Sequence, residues 1–267
     1  MRSEQFDLPV SDHHLRVRRL SVGETPTATT LVFLHDSLGS IALWRDFPDR
    51  LVEQLRLDAI VFDRRGYGRS SPFAPAPRTP RYLEEEGERL GDVLEQLGVS
   101  SAILFGHSDG GSIALIAAAL YPTLVRAIIT EGAHVFVEER TLDGIRAVRE
   151  MIRTTDMREK LARYHGTRTD TVISAWIDTW LSPEFRDWNI ESYLPRVQCP
   201  ALAIQGSDDE FGTERQLEAI VGGIPAWCGQ AMIHGVGHTP HRDAPSIVID
   251  ATTRFLKEAL GASGRVV

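Results

Sequence analysis

Ser108 stands in the hexapeptide Gly106-His107-Ser108-Asp109-Gly110-Gly111. The apolar run 101–105 before it has the composition of a strand. The alanine-rich run 112–120 after it has that of a helix, which stops at Tyr121-Pro122. A serine at such a junction sits on a sharp turn, and flanking glycines remove the side chains that would clash where strand folds back into helix. The hydroxyl is then held outward, where it could attack a carbonyl carbon. A serine hydroxyl is a poor nucleophile at neutral pH, so it needs a base within reach and a carboxylate that holds the base in the right tautomer. Downstream, Gly206-Ser207-Asp208-Asp209-Glu210 forms an acidic turn, and Gly235-Val236-Gly237-His238-Thr239-Pro240-His241 places a histidine on a glycine-rich loop.

These residues need a scaffold. Residues 5–10 and 15–20 read as paired strands, and 31–34 and 59–62 as short continuous apolar strands of the kind buried on both faces. Residues 47–55 have helical spacing, and 82–97 form a charged amphipathic helix after a proline-rich loop at 72–80. Further strands at 126–130, 201–205 and 231–234 and a helix over 244–260 complete the alternation. That alternation predicts an α/β fold with a mainly parallel, doubly wound sheet. The stretch 134–194 breaks the rhythm: it has helix-like spacing, no clear strand, and three of the five tryptophans. The expected organisation is a core of residues 1–133 and 195–267 with a helical cap inserted at 134–194.

A chain of 267 residues can bury a large core. Its net charge of −8 and pI near 5.6 leave no basic face for a polyanion, which argues against nucleic acid as a partner and for a small-molecule substrate. Cys199 and Cys228 form no C-x-x-C pair and read as reduced thiols. The first ten residues lack an apolar signal core, and the longest apolar stretch, 113–120, is too short to span a bilayer. The expectation is a soluble cytoplasmic protein with no membrane partner. Monomer and homodimer both stay open.

Four segments together resemble the α/β-hydrolase fold superfamily over nearly the whole chain: Leu34-His35-Asp36-Ser37-Leu38-Gly39-Ser40 followed by Trp44-Arg45, then Asp63-Arg64-Arg65-Gly66-Tyr67-Gly68-Arg69-Ser70, the turn at Ser108, and Gly237-His238. The order serine, acid, histidine is also that of this architecture, and not that of the two serine-protease ones. The resemblance implies Ser108 as nucleophile, His238 as base and Asp209 as orienting acid, with Asp208 and Glu131 as rivals for the last role. It also implies an oxyanion hole from the backbone amides of Ser37 and Asp109, a cap over the site, and no cofactor. His234, His238 and His241 could suggest a metal cluster. Without an accompanying carboxylate pattern, and with a role already open to His238, that reading is set aside. His107 reads as packed inside the turn.

Asp36 and Asp109 depart from the residues common at these positions in the family. If both face the pocket they disfavour anionic substrates; if an arginine or the local backbone neutralises them, that argument lapses. His134 would border the site. Trp176 and Trp180, with Phe185 and Trp188, recur at helical intervals, as packing residues or as walls of an acyl pocket. The implied reaction is cofactor-independent serine hydrolysis of a small, mostly apolar ester, lactone or thioester. The alternatives are a carbon–carbon bond hydrolase of ring-fission diketones and a low-turnover ligand receptor on the same fold.

Overall fold

The computed structural model describes residues 1–74 and 78–261. Its strands are β1 (Arg2–Val10), β2 (His13–Ser21), β3 (Thr30–Leu34), β4 (Asp58–Phe62), β5 (Ala102–His107), β6 (Val125–Glu131), β7 (Ala201–Gly206) and β8 (Cys228–Ile233). Its helices are α1 (Phe47–Leu55), α2 (Tyr82–Gln96), α3 (Asp109–Leu120), α4 (Glu139–Thr154), α5 (Met157–His165), α6 (Thr169–Trp180), α7 (Glu214–Gly223), α8 (Pro240–Asp243) and α9 (Pro245–Gly261). The strands form one sheet in the order β1-β2-β4-β3-β5-β6-β7-β8. β2 pairs antiparallel with β1 and with β4, and every other pair is parallel.

The apolar runs are short because each strand is only five to seven residues long where it crosses the core, and continuous because both faces are covered. Along β3, Val32 and Leu34 pack into one layer with Leu83, Leu90 and Leu94 of α2 and Ile113 and Ile116 of α3. Leu31 and Phe33 face the opposite layer, with Phe47 and Leu51 of α1 and Val248 and Phe255 of α9. The sheet is therefore doubly wound, as the alternation of elements predicts.

The last strand begins earlier than its apolar run suggests. β8 starts at Cys228 and ends before His234, because it is an edge strand whose residues short of Ile233 are only partly buried or exposed. Gly229 and Gln230 therefore interrupt the apolar run that would have marked its beginning. β1 and β2 also extend beyond the expected runs, as a long hairpin in register from Arg2↔Ser21 to Val10↔His13. Of the loop 72–80, residues 75–77 lie outside the described residues.

Between β6 and β7 the chain forms α4, α5, α6 and short 3₁₀ turns, with a lone bridge between Phe136 and Asn189. Two tryptophans tie this insert to α2: Trp180 Nε1 donates to the Tyr82 hydroxyl at 2.7 Å and Trp188 Nε1 to Glu84 Oε2 at 3.2 Å. No helix among the described residues is long and apolar enough to cross a membrane.

From β3 the chain moves to β4 on one side and then returns to β5 on the other. The loops after β3 and β5 thus leave the sheet in opposite directions. A crevice opens at the carboxyl ends of the strands, which is where open α/β sheets bind ligands.

Candidate active site

Ser108 is the residue between β5 and α3, and its backbone lies at φ 54°, ψ −119°. A side chain at positive φ costs on the order of 1–3 kcal/mol and persists only where the surroundings over-determine it. Here the Ser108 N–H donates to the Glu131 carbonyl at 2.8 Å, and its own carbonyl accepts from Gly111 at 2.8 Å and Ser112 at 3.1 Å. Two glycines make the turn sterically feasible. A Cβ on Gly106 would lie 2.1 Å from the Gly110 carbonyl oxygen, and one on Gly110 would lie 1.9 Å from that of Leu34. The second contact presses the first turn of α3 against the end of β3, close in sequence to the buried Ser37. As the first residue of α3, Asp109 has no intrahelical acceptor for its N–H. Ser37, just past β3, and Asp109, just past β5, thus stand on the two loops that part at the switch point.

Of the three candidate acids, Asp209 is the one that meets His238. Asp209 Oδ1 accepts from His238 Nδ1 at 2.8 Å and from the backbone N–H groups of Phe211 at 2.8 Å and Gly212 at 3.2 Å. Asp208 is exposed and accepts from the Ser207 hydroxyl. Burial would raise the Asp209 carboxyl, but the charge and hydrogen bond of His238 and the Phe211 N–H outweigh it and hold the group at about 2. Arg140 of α4 clamps the Asp209 carbonyl through Nε at 3.0 Å and Nη2 at 2.8 Å. Glu210 Oε2 accepts the His238 N–H at 3.0 Å, and the His238 ring packs against Gly132, just past β6. With Nδ1 committed to Asp209, the other ring nitrogen is the one free to take a proton.

Glu131 serves a different histidine. It is fully buried, and its two oxygens take the backbone N–H and Nδ1 of His241, both at 2.5 Å. That contact lowers its carboxyl against the upward push of burial. His107 packs inside the turn as expected and is also polar there. Its Nε2–H donates to the His238 carbonyl at 2.8 Å, and Nδ1 faces Asp36 Oδ1 at 3.8 Å. Burial opposes protonation of this ring, but Asp36 and Glu131 prevail and lift it to about 9. His107, Glu131 and His241 bring ligand-type atoms within 4.8 Å of one another. The 2.5 Å separation of Glu131 Oε2 and His241 Nδ1 is that of a hydrogen bond; two ligands each about 2.0 Å from one tetrahedral ion would stand farther apart. His238 and His241 each point Nδ1 at their own carboxylate, Asp209 and Glu131.

Asp109 and Asp36 are not bare charges. Asp109 is 1 % exposed; its Oδ1 accepts from the Tyr82 hydroxyl at 3.0 Å, and its Oδ2 lies 3.4 Å from Arg64 Nη2. Arg64 also donates to the Asp36 carbonyl at 3.0 Å, while its Nε and Nη1 find no partner among the described residues. Arg78 stacks on Tyr82, 3.8 Å from its ring centre. Of the two alternatives the neutralised one holds, and the argument against anionic substrates lapses: Asp109 has Arg64 beside it, Arg78 lies across the Tyr82 ring, and Asp36 is faced by His107. The sequence allows for a neutralising arginine but does not single out Arg64, because 45 positions separate it from Asp109.

His134 is buried, its ring centre 5.8 Å from that of His238, and its Nε2 donates to the Phe211 carbonyl at 3.1 Å. Burial and the nearby His238 keep it below the ordinary histidine range. Trp180 stands edge-on to His134 at 5.3 Å and packs on Phe185 and Trp188. Trp176 packs on Phe211, whose ring is 4.7 Å from that of His238. Both tryptophans are buried and reach the base through one intervening ring.

A strained serine at a strand–helix turn, a buried Asp–His pair and the switch-point crevice define a class, and comparison with known proteins agrees with it. Residues 29–193 match the family model described as alpha/beta hydrolase fold, and the chain belongs to that family. It is 30 % identical to "Serine hydrolase BPHL" of Mus musculus over 75 % of this chain and 68 % of the relative. To the Homo sapiens protein of the same name it is 34 % identical over 56 % of this chain, which spans about half, 53 %, of that relative. The solved proline iminopeptidase of Mycobacterium smegmatis superposes with a TM-score of 0.73 at 20 % identity, over 97 % of this chain and all (100 %) of that one. At that identity the likeness concerns the fold.

Proposed function

We propose that this protein is a serine hydrolase that cleaves a small carboxylic ester, lactone or thioester through an acyl-enzyme, without a cofactor. The observation that carries the reading is the 2.8 Å hydrogen bond between His238 Nδ1 and the buried Asp209 carboxylate, on the loops that flank the strained Ser108. Similarity to proteins named serine hydrolase supports it. His238 takes the proton of Ser108 as the oxygen attacks the carbonyl carbon, and Asp209 stabilises the imidazolium that forms. The amides of Ser37 and Asp109 hold the oxyanion, and the leaving group departs with the proton from His238. Water then attacks the acyl-enzyme with the roles reversed. The helical insert 134–194 acts as the cap, with Trp176 and Trp180 supporting the pocket wall.

Cleavage of a carbon–carbon bond in a ring-fission diketone is the second reading. It is favoured by Arg64, a buried guanidinium with two partnerless nitrogens beside Asp109, since such substrates commonly carry a carboxylate. One experiment addresses both readings: aryl esters, lactones and a vinylogous diketone are assayed together on wild type and Ser108→Ala. The variant should lose on the order of 10⁴ to 10⁶ in turnover while staying folded. A serine-directed phosphonate should add one mass label, at Ser108. Equal labelling or turnover in Ser108→Ala would reject the serine mechanism, and turnover of the diketone alone would select the second reading. A receptor on this fold would give no turnover of any of them.

A further inference from the structure

The loop 35–40 that follows β3 carries Ser37, and two buried histidines bond its backbone. His35, within the loop, donates from Nδ1 to the Asp36 carbonyl at 2.7 Å and accepts the Arg64 N–H at Nε2 at 3.0 Å. His165 comes from the helical insert, at the end of α5. It donates from Nε2 to the Leu38 carbonyl at 2.9 Å and accepts the Gly68 N–H at Nδ1 at 3.0 Å. The ring is 3 % exposed and stands edge-on to the buried Tyr67.

These two partners fix the state of the ring. A carbonyl oxygen only accepts and a backbone N–H only donates, so Nε2 carries the proton and Nδ1 carries none. Protonation would set a second donor at Nδ1 against the Gly68 N–H. Burial holds the ring below the ordinary histidine range, against the upward pull of the Leu38 carbonyl, Asp63 and Asp36, and the neutral form is the one these bonds require.

The segments that His165 joins are also tied to each other. Asp63 accepts the Ile41 N–H at 2.6 Å and the Arg69 N–H at 2.8 Å, and a Cβ on Gly68 would lie 2.1 Å from Asp63 Oδ2. From the same stretch of the insert, Arg168 donates to the carbonyls of Gly68 and Ser70. Trp180 and Trp188 bond the insert to α2 instead. Among the described residues, His165 is the side chain of the insert that hydrogen-bonds loop 35–40.

We propose that His165 is a positioning residue that ties the cap to the backbone beside Ser37, so that the Ser37 amide is held for the oxyanion while the cap is seated. Its effect on turnover rests on the hydrolase reading; the tie itself does not. An N–H group stabilises a developing oxyanion only at about 3 Å, and a misplacement of about 1 Å costs on the order of 10² in rate. Substrate binding by the pocket walls makes no such demand, so kcat should move and KM should not.

Two variants test this. His165→Phe keeps an aromatic ring and removes both bonds, whereas the amide of His165→Gln offers one acceptor and one donor in their place. Amide hydrogen exchange in segments 35–40 and 63–70 should be about tenfold faster in His165→Phe and near wild type in His165→Gln. With the ester that wild type turns over fastest, His165→Phe should lose about 10- to 100-fold in kcat with KM within about threefold, and His165→Gln should recover most of that loss. If His165→Phe does not melt cooperatively, His165→Ala removes the same bonds and takes its place. Unchanged exchange in the folded variant overturns the proposal whether or not wild type is active. In an active enzyme, an unchanged kcat, an equal loss in His165→Phe and His165→Gln, or a change in KM alone overturns it as well. Faster exchange in His165→Phe beside a wild type that turns over no ester, lactone or thioester would uphold the tie and count against the hydrolase reading.

Discussion

Asp209 and Glu131 are both buried carboxylates bonded to a histidine, and the identity of that histidine separates their roles. Asp209→Asn should lose on the order of 10⁴ in kcat, because an amide favours the wrong tautomer of His238, whereas Asp208→Asn, on an exposed turn, should change it less than about threefold. Equal and mild losses in steady-state assays would contradict the assignment. His107 makes a different prediction, about stability. Its folded value of about 9 exceeds the ordinary 6.5, so the protonated ring stabilises the fold fully below pH 6.5, and this contribution is lost as pH rises through 9. A gap of that size corresponds to at most a few kcal/mol. Urea unfolding at pH 6 and pH 10 should therefore show a larger loss for wild type than for His107→Gln. Equal losses would mean that the ring is neutral in the folded protein.

At the scale of elements, the junction of β5 and α3 depends on backbone approach. Gly110→Ala would drive a methyl to 1.9 Å from the Leu34 carbonyl oxygen, a contact between two main-chain segments that no side-chain rotation relieves. We expect it to destabilise the protein by about 3 kcal/mol or more, or to prevent soluble expression. Gly222 is the control. It lies on the exposed face of α7 with nothing within 4 Å of an added Cβ, so Gly222→Ala should be neutral or stabilise by about 0.5–1 kcal/mol. Thermal melts of the two variants side by side check the contrast.

For the whole molecule, long-range and local fields oppose each other. The net charge of −8 repels an anionic substrate at a distance, while Arg64 and Arg78 offer positive charge inside. Salt screens the distant term first, because the Debye length falls from about 30 Å at 0.01 M to about 8 Å at 0.15 M. Raising ionic strength over that range should increase kcat/KM for an ester bearing a free carboxylate by a few-fold and leave a neutral ester of equal length nearly unchanged. A flat response for both would show that the overall charge does not reach the site.

Much of this architecture is legible in the chain itself, because it rests on local physics. A strand buried on both faces must be continuously apolar, as at β3 to β5, and a strand that turns back sharply into a helix requires small residues, as at Gly106 and Gly110. The helical stretch between β6 and β7 announces itself by spacing alone. β8 was the exception, since an edge strand can keep polar residues and lose its signal. What the chain left open were pairings between distant side chains. The resemblance put Asp209 ahead of Asp208 and Glu131 without excluding either; the placement of β6, β7 and β8 side by side brings Asp209 to His238 and Glu131 to His241. Likewise Arg64 reaches Asp109 only because β3 separates β4 from β5 in the sheet, so that the loop after β4 folds over the start of α3. Periodicity reports which face of an element is buried, but the partner a buried charge finds depends on how the elements stack, and that is decided by the tertiary structure.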